Sequence, residues 1–373
     1  MLLLGLVQSL GSTLVFILRK PRHVSNFILA AWFLIISLFF LGLLIPEGLT
    51  TYTKIGFIPF FMLTGPLFYF YVRSLIHPNF EFKWPHLVHC IPFALVGGLR
   101  VAFIPESLSL NSEHLPEREI NPYISAMIFI LSISFFSYWV ATLLLLLKHR
   151  KNVLNYFSTK SGQRTLSWVL LIMLVALLSH IIFLSPSLVQ VYFSSLQTMS
   201  FWVHQFNIAL LGYLLLVFGL TQPIIFESPT SAPVSEVDSS LAREKYARSG
   251  LSDEQMQFYA QQVVVYLEEE KPYKNPEFSL TMMIEDLNIT QQNLSQTINE
   301  VLEKNFYQLV NEYRVKEFKQ LLQDSKAEQL TFLGLAYEAG FNSKSSFNRV
   351  FKEVTDQTPS QYSQSLKVSS EKV

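Results

Sequence analysis

Charge is nearly absent from the first three-fifths of this chain. Residues 1–225 hold 13 Lys/Arg and 6 Asp/Glu. That is 19 charges in 225 positions, about 8%, where a soluble domain averages about 25%. Seven apolar stretches account for it, near 2–18, 26–45, 55–76, 87–104, 123–147, 166–184 and 202–225. Each is long enough, or nearly so, to cross a hydrocarbon core of about 30 Å, which takes about 17–25 helical residues. The rest of the chain has 15 basic and 22 acidic residues in 148 positions, a soluble composition. The expected fold class is therefore all-α: a polytopic seven-helix transmembrane bundle, then a soluble helical domain. The single cysteine, Cys90, leaves no internal disulfide framework and no Cys-based zinc site.

The first stretch has no positive residue ahead of it. Arg19, Lys20 and Arg22 follow it instead, the opposite polarity to a secretory signal peptide, so it reads as a retained helix with its N-terminus outside. Loops 19–25, 77–86 and 148–165, with Arg73 beside the second, then carry ten Lys/Arg against three (Lys54, Arg100, Arg118) on the other side. Excess Lys/Arg marks the cytoplasmic face. A seven-span chain with this orientation lies in the cytoplasmic (inner) membrane and leaves its C-terminus inside the cell. Trp84, Trp168 and Trp202 fall near expected span ends, as an interfacial belt would place them. Segment 185–201 is uncharged and moderately apolar, and an outer loop, an interfacial segment and a re-entrant one all fit it.

Charged groups at a bilayer centre usually mark ion pathways, and these stretches hold almost none, which argues against a pump or ion-coupled transporter. His180, inside the sixth stretch, is the clear ionisable group there. It reads either as a packing histidine hydrogen-bonded to a neighbouring helix or as a proton or ligand sensor, since histidine titrates near neutral pH. His86, His89 and Cys90 form an H-x-x-H-C cluster, but no carboxylate is near in sequence, and no metal or cofactor is assigned. Pro66 is expected to kink the third span. No phosphate loop, nucleophile elbow or paired carboxylates are present, so the chain is not expected to be an enzyme.

Domain 1–226 ends at a Ser/Pro/Ala-rich stretch, 227–250, of the composition of a flexible tether. Domain 251–373 follows. An amphipathic helix is expected from Leu251 through Tyr266, as a coiled dimer contact or a lid on the domain. Beyond it the sequence repeats. MIEDLNITQQNLSQTINEV (283–301) and LAYEAGFNSKSSFNRVFKEV (335–354) align with an offset of 52 before a turn and 53 after it. Asn288 and Gly340 hold the turn, and both residue types tolerate the left-handed conformation it needs. Thr290 and Ser343 are placed to cap the second helices. Leu294, Ile298 and Val301 recur at helical spacing opposite Phe347, Phe351 and Val354. These are two helix-turn-helix units, about 280–302 and 331–354, whose second helices are of the kind that enter a major groove. An amphipathic helix at 305–322 joins them.

The stretch LAYEAGFNSKSSFNRVFKEVTDQTPSQYSQ (335–364), with KPYKNPEFSL and NEYRVKEFKQLL, resembles the DNA-binding domain of AraC/XylS-type transcription regulators. The likeness covers 272–366. Residues 1–226 do not resemble that family's soluble ligand-binding domains, so the whole is similar to membrane-embedded members. The first unit departs from the pattern: Asn288 replaces the usual turn glycine, and Ile284 stands where the second unit has Ala336. The resemblance implies DNA contacts by Gln292, Ser295, Gln296 and Asn299 in the first unit, and by Lys344, Ser345, Asn348 and Arg349 in the second. Lys352 is placed for a phosphate. Glutamine and asparagine can bond adenine edges and arginine can grip guanine. Against this, residues 251–373 carry 12 basic and 18 acidic residues, a net of −6, where a basic footprint is the rule. Modest affinity with a shallow salt dependence is expected of that domain.

The reading is a one-component regulator. It binds DNA at two adjacent half-sites, is held in the lipid bilayer, is open to homodimerisation, and answers an unknown signal ligand or membrane partner. The alternative keeps the seven-helix receptor and makes the cytoplasmic domain a protein-binding module.

Overall fold

A computed structural model describes residues 1–44, 61–77, 80–103, 122–159, 162, 164–189, 194–222, 251–323 and 330–370. The expected tether 227–250 lies outside them. The described residues form fourteen α-helices and no named strand. They divide into two compact units. One comprises 1–147 and 166–227; the other comprises 148–165 and 228–373.

In the first unit α1 (Leu2–Leu18), α2 (Val24–Leu44), α3 (Thr64–Ile76), α4 (Ile91–Phe103), α5 (Pro122–Val153), α6 (Ser167–Val189) and α7 (Ser194–Thr221) coincide with the seven apolar stretches. Among the described residues three segments are both long and apolar enough to cross a membrane: Val24–Leu44, Ile128–Val153 and Trp202–Thr221. Leu2–Leu18 and Ser167–Ile182 are apolar but shorter. The fourth stretch begins as a 3-10 turn, Trp84–Cys90, and becomes α-helical only at Ile91.

Small residues let α1 and α2 approach closely. The Phe40 ring lies against Gly5, Phe16 stacks on Phe33, and the Ser37 hydroxyl donates to Ser9 Oγ at 2.9 Å. Outward faces are strongly apolar, with Leu4 74%, Leu18 75% and Phe129 66% exposed. Pro66 sits in the first turn of α3. An N–H there has no intrahelical partner to lose, so proline starts this helix instead of kinking it. Trp84 is exposed, and Trp168, at the start of α6, is buried and donates to Gln222 Oε1 at 2.8 Å.

His180 is buried on α6, its ring stacked on Phe135 at 4.1 Å and edge-on to Phe136. It borders a cavity of about 110 Å³ that Trp32, Phe61, Tyr138, Ser179 and His204 also line. His204 of α7 hydrogen-bonds Ser179. His89 pairs with the Tyr138 hydroxyl at 2.5 Å, and the ring of His86 stacks on Phe80.

The second unit holds α8 (Asp253–Glu269), α9 (Leu280–Leu287), α10 (Gln291–Glu300), α11 (Phe306–Gln323), α12 (Phe332–Glu338), α13 (Lys344–Thr355) and α14 (Pro359–Ser370). Ser252 and Gln255 close a reciprocal capping box on α8. This helix packs against α10 through a buried stripe that includes Ala260, Val263 and Leu267, which makes it a lid on the domain.

Candidate nucleic-acid interface

Two helix pairs follow the repeat. In the first, α9 and α10 are started by Ser279 and Thr290, whose hydroxyls accept from Met282 N and Asn293 N. In the second, Thr331 and Ser343 do the same for α12 and α13, accepting from Gly334 N and Ser346 N. Such caps satisfy backbone donors that a helix start leaves open. Between the helices Asn288 is left-handed (φ 52) and Gly340 has φ 96. The two turns differ in tolerance. A Cβ on Gly340 would stand 2.1 Å from the Tyr273 carbonyl oxygen, so this position excludes every other residue, whereas Asn288 holds its conformation with a side chain in place.

The second unit closes on an aromatic core. Phe318 of the connecting helix α11 meets Phe347 at 4.6 Å and Phe351 at 5.5 Å, and Phe341 meets Phe347 at 5.2 Å. Leu335, Ala336 and Val350 complete it. Of the predicted apolar repeats, Phe347 and Phe351 are buried, while Val354, near the end of α13, is 41% exposed.

That core leaves one face of α13 to solvent. Lys344, Ser345, Asn348 and Lys352 are exposed on it. Arg349 is half-buried and already engaged. Its guanidinium donates to Glu353 Oε1 at 3.0 Å and to the Tyr307 hydroxyl at 2.8 Å. Burial works against its charge, but Tyr307 and Glu353 outweigh this and hold it firmly protonated. To grip a base edge, Arg349 must be exchanged from Glu353 to the base.

In the first unit Gln292 and Asn299 are exposed and Ser295 is half-buried. Gln296 departs from the expected contact set. It is 4% exposed, and its amide donates to Glu300 Oε2 at 3.0 Å. Helix α10 packs against α8, α9 and α11, and Gln296 and Thr297 lie buried on it beside Leu294 and Ile298. Gln292, Ser295 and Asn299 remain as an uncharged polar row. The lysine that follows, Lys304, is paired with Glu312 at 2.5 Å.

The two units are tied through α11. Glu317, 4% exposed, accepts from Lys271 and from the Tyr273 hydroxyl, each at 3.0 Å, and pairs with Lys274 at 2.7 Å. Arg314 is fully buried. It donates from Nε to the Tyr273 carbonyl at 2.8 Å and from Nη2 to the Asn275 carbonyl at 2.9 Å. Burial lowers its pKa to about 10, which keeps it charged at neutral pH. The carbonyl of Tyr273 thus stands between Arg314 and the turn of the second unit at Gly340. The repeat carries no sign of this junction, because its residues belong to neither copy.

A family profile described as a helix-turn-helix domain matches residues 283–365, less than a quarter of the chain. The match supports an AraC-type DNA-binding domain in this region, and with it a DNA-binding transcription regulator. No curated protein matches the chain, and no solved structure does.

Proposed function

We propose that this protein is a membrane-bound one-component transcription regulator. Its cytoplasmic double helix-turn-helix domain reads DNA, and residues 1–226 form a seven-helix bundle that senses an unknown stimulus; the chain performs no catalysis. The carrying observation is the pair of capped helix-turn-helix units within the matched region 283–365. Lys344, Ser345, Asn348, Arg349 and Lys352 read and grip one half-site. Gln292, Ser295 and Asn299 read the next.

Membrane anchoring draws support from seven helices lying on the apolar stretches, three of them of spanning length, and from the ten-to-three loop charges. Loop 148–165 belongs to one compact unit with the C-terminal domain, which supports a reading with both on the same side of the membrane. Sensing is assigned to the surroundings of His180, where a small aromatic cavity holds a second histidine, His204. A stimulus can act only through different affinities for two states.

The test is a genomic pull-down of DNA crosslinked to the full-length protein, with Arg349→Ala/Asn348→Ala as control. Discrete sites enriched over the control are expected; equal recovery from both overturns the DNA reading. A cytoplasm-only reporter fused after Val373 is expected to be active, and silence overturns the seven-span orientation. His180→Leu is expected to weaken the response to a stimulus once one is found, and an unchanged response removes His180 as the sensor. The second reading, a protein-binding module, rests on the net of −6 and on the engagement of Arg349 by Glu353. It predicts a co-purifying protein and no enriched DNA.

A further inference from the structure

The compact unit that contains the helix-turn-helix domain also contains residues 148–165, the end of α5 and the connection to α6. The segment closes on itself first. His149 Nε2 pairs with the Arg164 carbonyl at 2.7 Å, and Arg150 Nε donates to the Thr165 carbonyl at 3.3 Å. Its tip then enters the domain. Val153, Tyr156, Ser158 and Thr159 are buried, and Leu154 packs on the aromatic core of the second unit.

Its backbone supplies further acceptors at two helix starts whose side-chain caps serve other donors. The Tyr156 carbonyl accepts from Leu280 N at 2.9 Å, and the Leu154 carbonyl accepts from Tyr307 N at 2.9 Å. Both donors sit in first turns, of α9 and α11, where a helix supplies no acceptor of its own. Phe157 and Ser279 form an antiparallel β-bridge. Ser158 is the focus. Its carbonyl accepts from Asn311 Nδ2 at 3.0 Å and Arg314 Nη1 at 3.2 Å, while its hydroxyl accepts from Arg314 Nη2 at 3.0 Å and donates to the Phe278 carbonyl at 2.6 Å. Arg164 lies over the Phe157 ring at 4.5 Å and pairs with Glu277.

A buried guanidinium with its donors spent on backbone oxygens is a costly arrangement unless every partner is present. Two of Arg314's four partner atoms, the Ser158 carbonyl and hydroxyl oxygens, belong to the inserted segment. One strand of chain thereby touches the first unit, the second unit and the helix that joins them. It is covalently continuous with α5 on one side and α6 on the other.

We propose that residues 148–165 are an integral part of the DNA-binding module, inserted from the connection between two helices of the N-terminal unit. They hold the two helix-turn-helix units in the relation that DNA binding needs, and so couple α5 and α6 to DNA affinity. The coupling rests on the DNA-binding reading; the insertion does not.

The experiment uses the full-length chain in membranes, with Cys90→Ser, Phe157→Cys and Ser279→Cys and a protease site placed in 227–250. Neighbours across a β-bridge have Cα atoms about 4.5–5.5 Å apart, within disulfide reach. Mild oxidation followed by cleavage is expected to leave both fragments joined until reductant is added. A control pairing Phe157→Cys with Lys344→Cys is expected to separate. Absence of the cross-link in the first pair overturns the insertion, whatever DNA shows. Genomic pull-down supplies the second readout. The oxidised Phe157→Cys/Ser279→Cys protein is expected to occupy wild-type sites as fully as the reduced one. Ser158→Ala/Asn311→Ala, which removes the two hydrogen bonds of the Ser158 hydroxyl and the two donated by Asn311 Nδ2, is expected to lower occupancy about ten-fold or more. Loss of occupancy on oxidation, or no loss in Ser158→Ala/Asn311→Ala, overturns the coupling. A formed cross-link with no discrete wild-type sites overturns the DNA reading and the coupling with it, while the insertion stands.

Discussion

The two helix-turn-helix units share a sequence pattern and differ in how they are held. The second is built around its own aromatic cluster of Phe318, Phe341, Phe347 and Phe351. The first is enclosed from outside. Helix α8 covers α10, and residues 156–158 contact the start of α9 and the residues ahead of it. Their outer faces differ in the same sense. The second presents Lys344, Arg349 and Lys352, and the first presents uncharged Gln292, Ser295 and Asn299. In one copy the repeat closes on an aromatic core and carries an electrostatic grip. In the other it is a polar surface whose position depends on neighbouring chain. A duplicated motif can thus divide two tasks, gripping and positioning, between its copies.

The turns separate the copies most sharply. Gly340→Ala drives a Cβ into the Tyr273 carbonyl at a positive φ, and is expected to cost about 3 kcal/mol or more. Asn288→Ala asks only for a left-handed alanine, about 1–2 kcal/mol. Denaturant unfolding followed by hydrogen exchange at α13 and α10 measures both, and equal costs would erase the distinction. Next is the buried arginine. Arg314→Met leaves the Tyr273 and Asn275 carbonyls without this donor and is expected to cost about 3 kcal/mol, loosening both units together. Loosening of the second unit alone would break the view that the first depends on this junction.

On DNA, Arg349→Ala is expected to lower affinity about 10- to 100-fold, from about 1–3 kcal/mol of base contact, and Gln292→Ala less, in titrations at fixed salt. Glu353→Gln releases Arg349 from its intramolecular partner and is expected to tighten binding a few-fold, the scale of a surface ion pair. Weaker binding by Glu353→Gln would mean that the pair prepares the arginine for DNA. The smallest effect concerns pH. Burial pushes the Glu317 carboxyl up, but Lys274, Lys271 and Tyr273 outweigh it and hold the group below its ordinary value. Such a group contributes fully above its unfolded pKa of about 4.3 and loses that contribution as pH falls through the lower folded value. Stability of the domain is therefore expected to be level from neutral down to about pH 5 and to fall below about pH 4. Glu317→Gln is expected to flatten that fall.

Much of this was legible from local pattern. The capping hydroxyls, the two turn residues, the connecting helix and the exposed row on α13 all follow from spacings of three, four or 52 residues. Gln296 was not legible. It occupies a polar position on an amphipathic helix, and only tertiary packing buries it. Pro66 was misplaced for a similar reason: its residue type suggests a kink, while its position in the first turn of α3 makes it a helix start. The charges of 148–165, read as a topology signal, also include Arg164, which pairs with Glu277 inside the second compact unit.

The sequence by itself determined the two kinds of composition, the helices within them and the duplicated helix-turn-helix pattern, because apolar period, capping chemistry and turn conformation act over a few residues. Only the tertiary structure decided which segments complete the reader. Arg314 and Ser158 are 156 positions apart, and contacts at that separation leave no period, spacing or motif in the chain. They exist because a buried guanidinium and open helix ends require oxygen partners, and folding brings residues 154–158 to supply them.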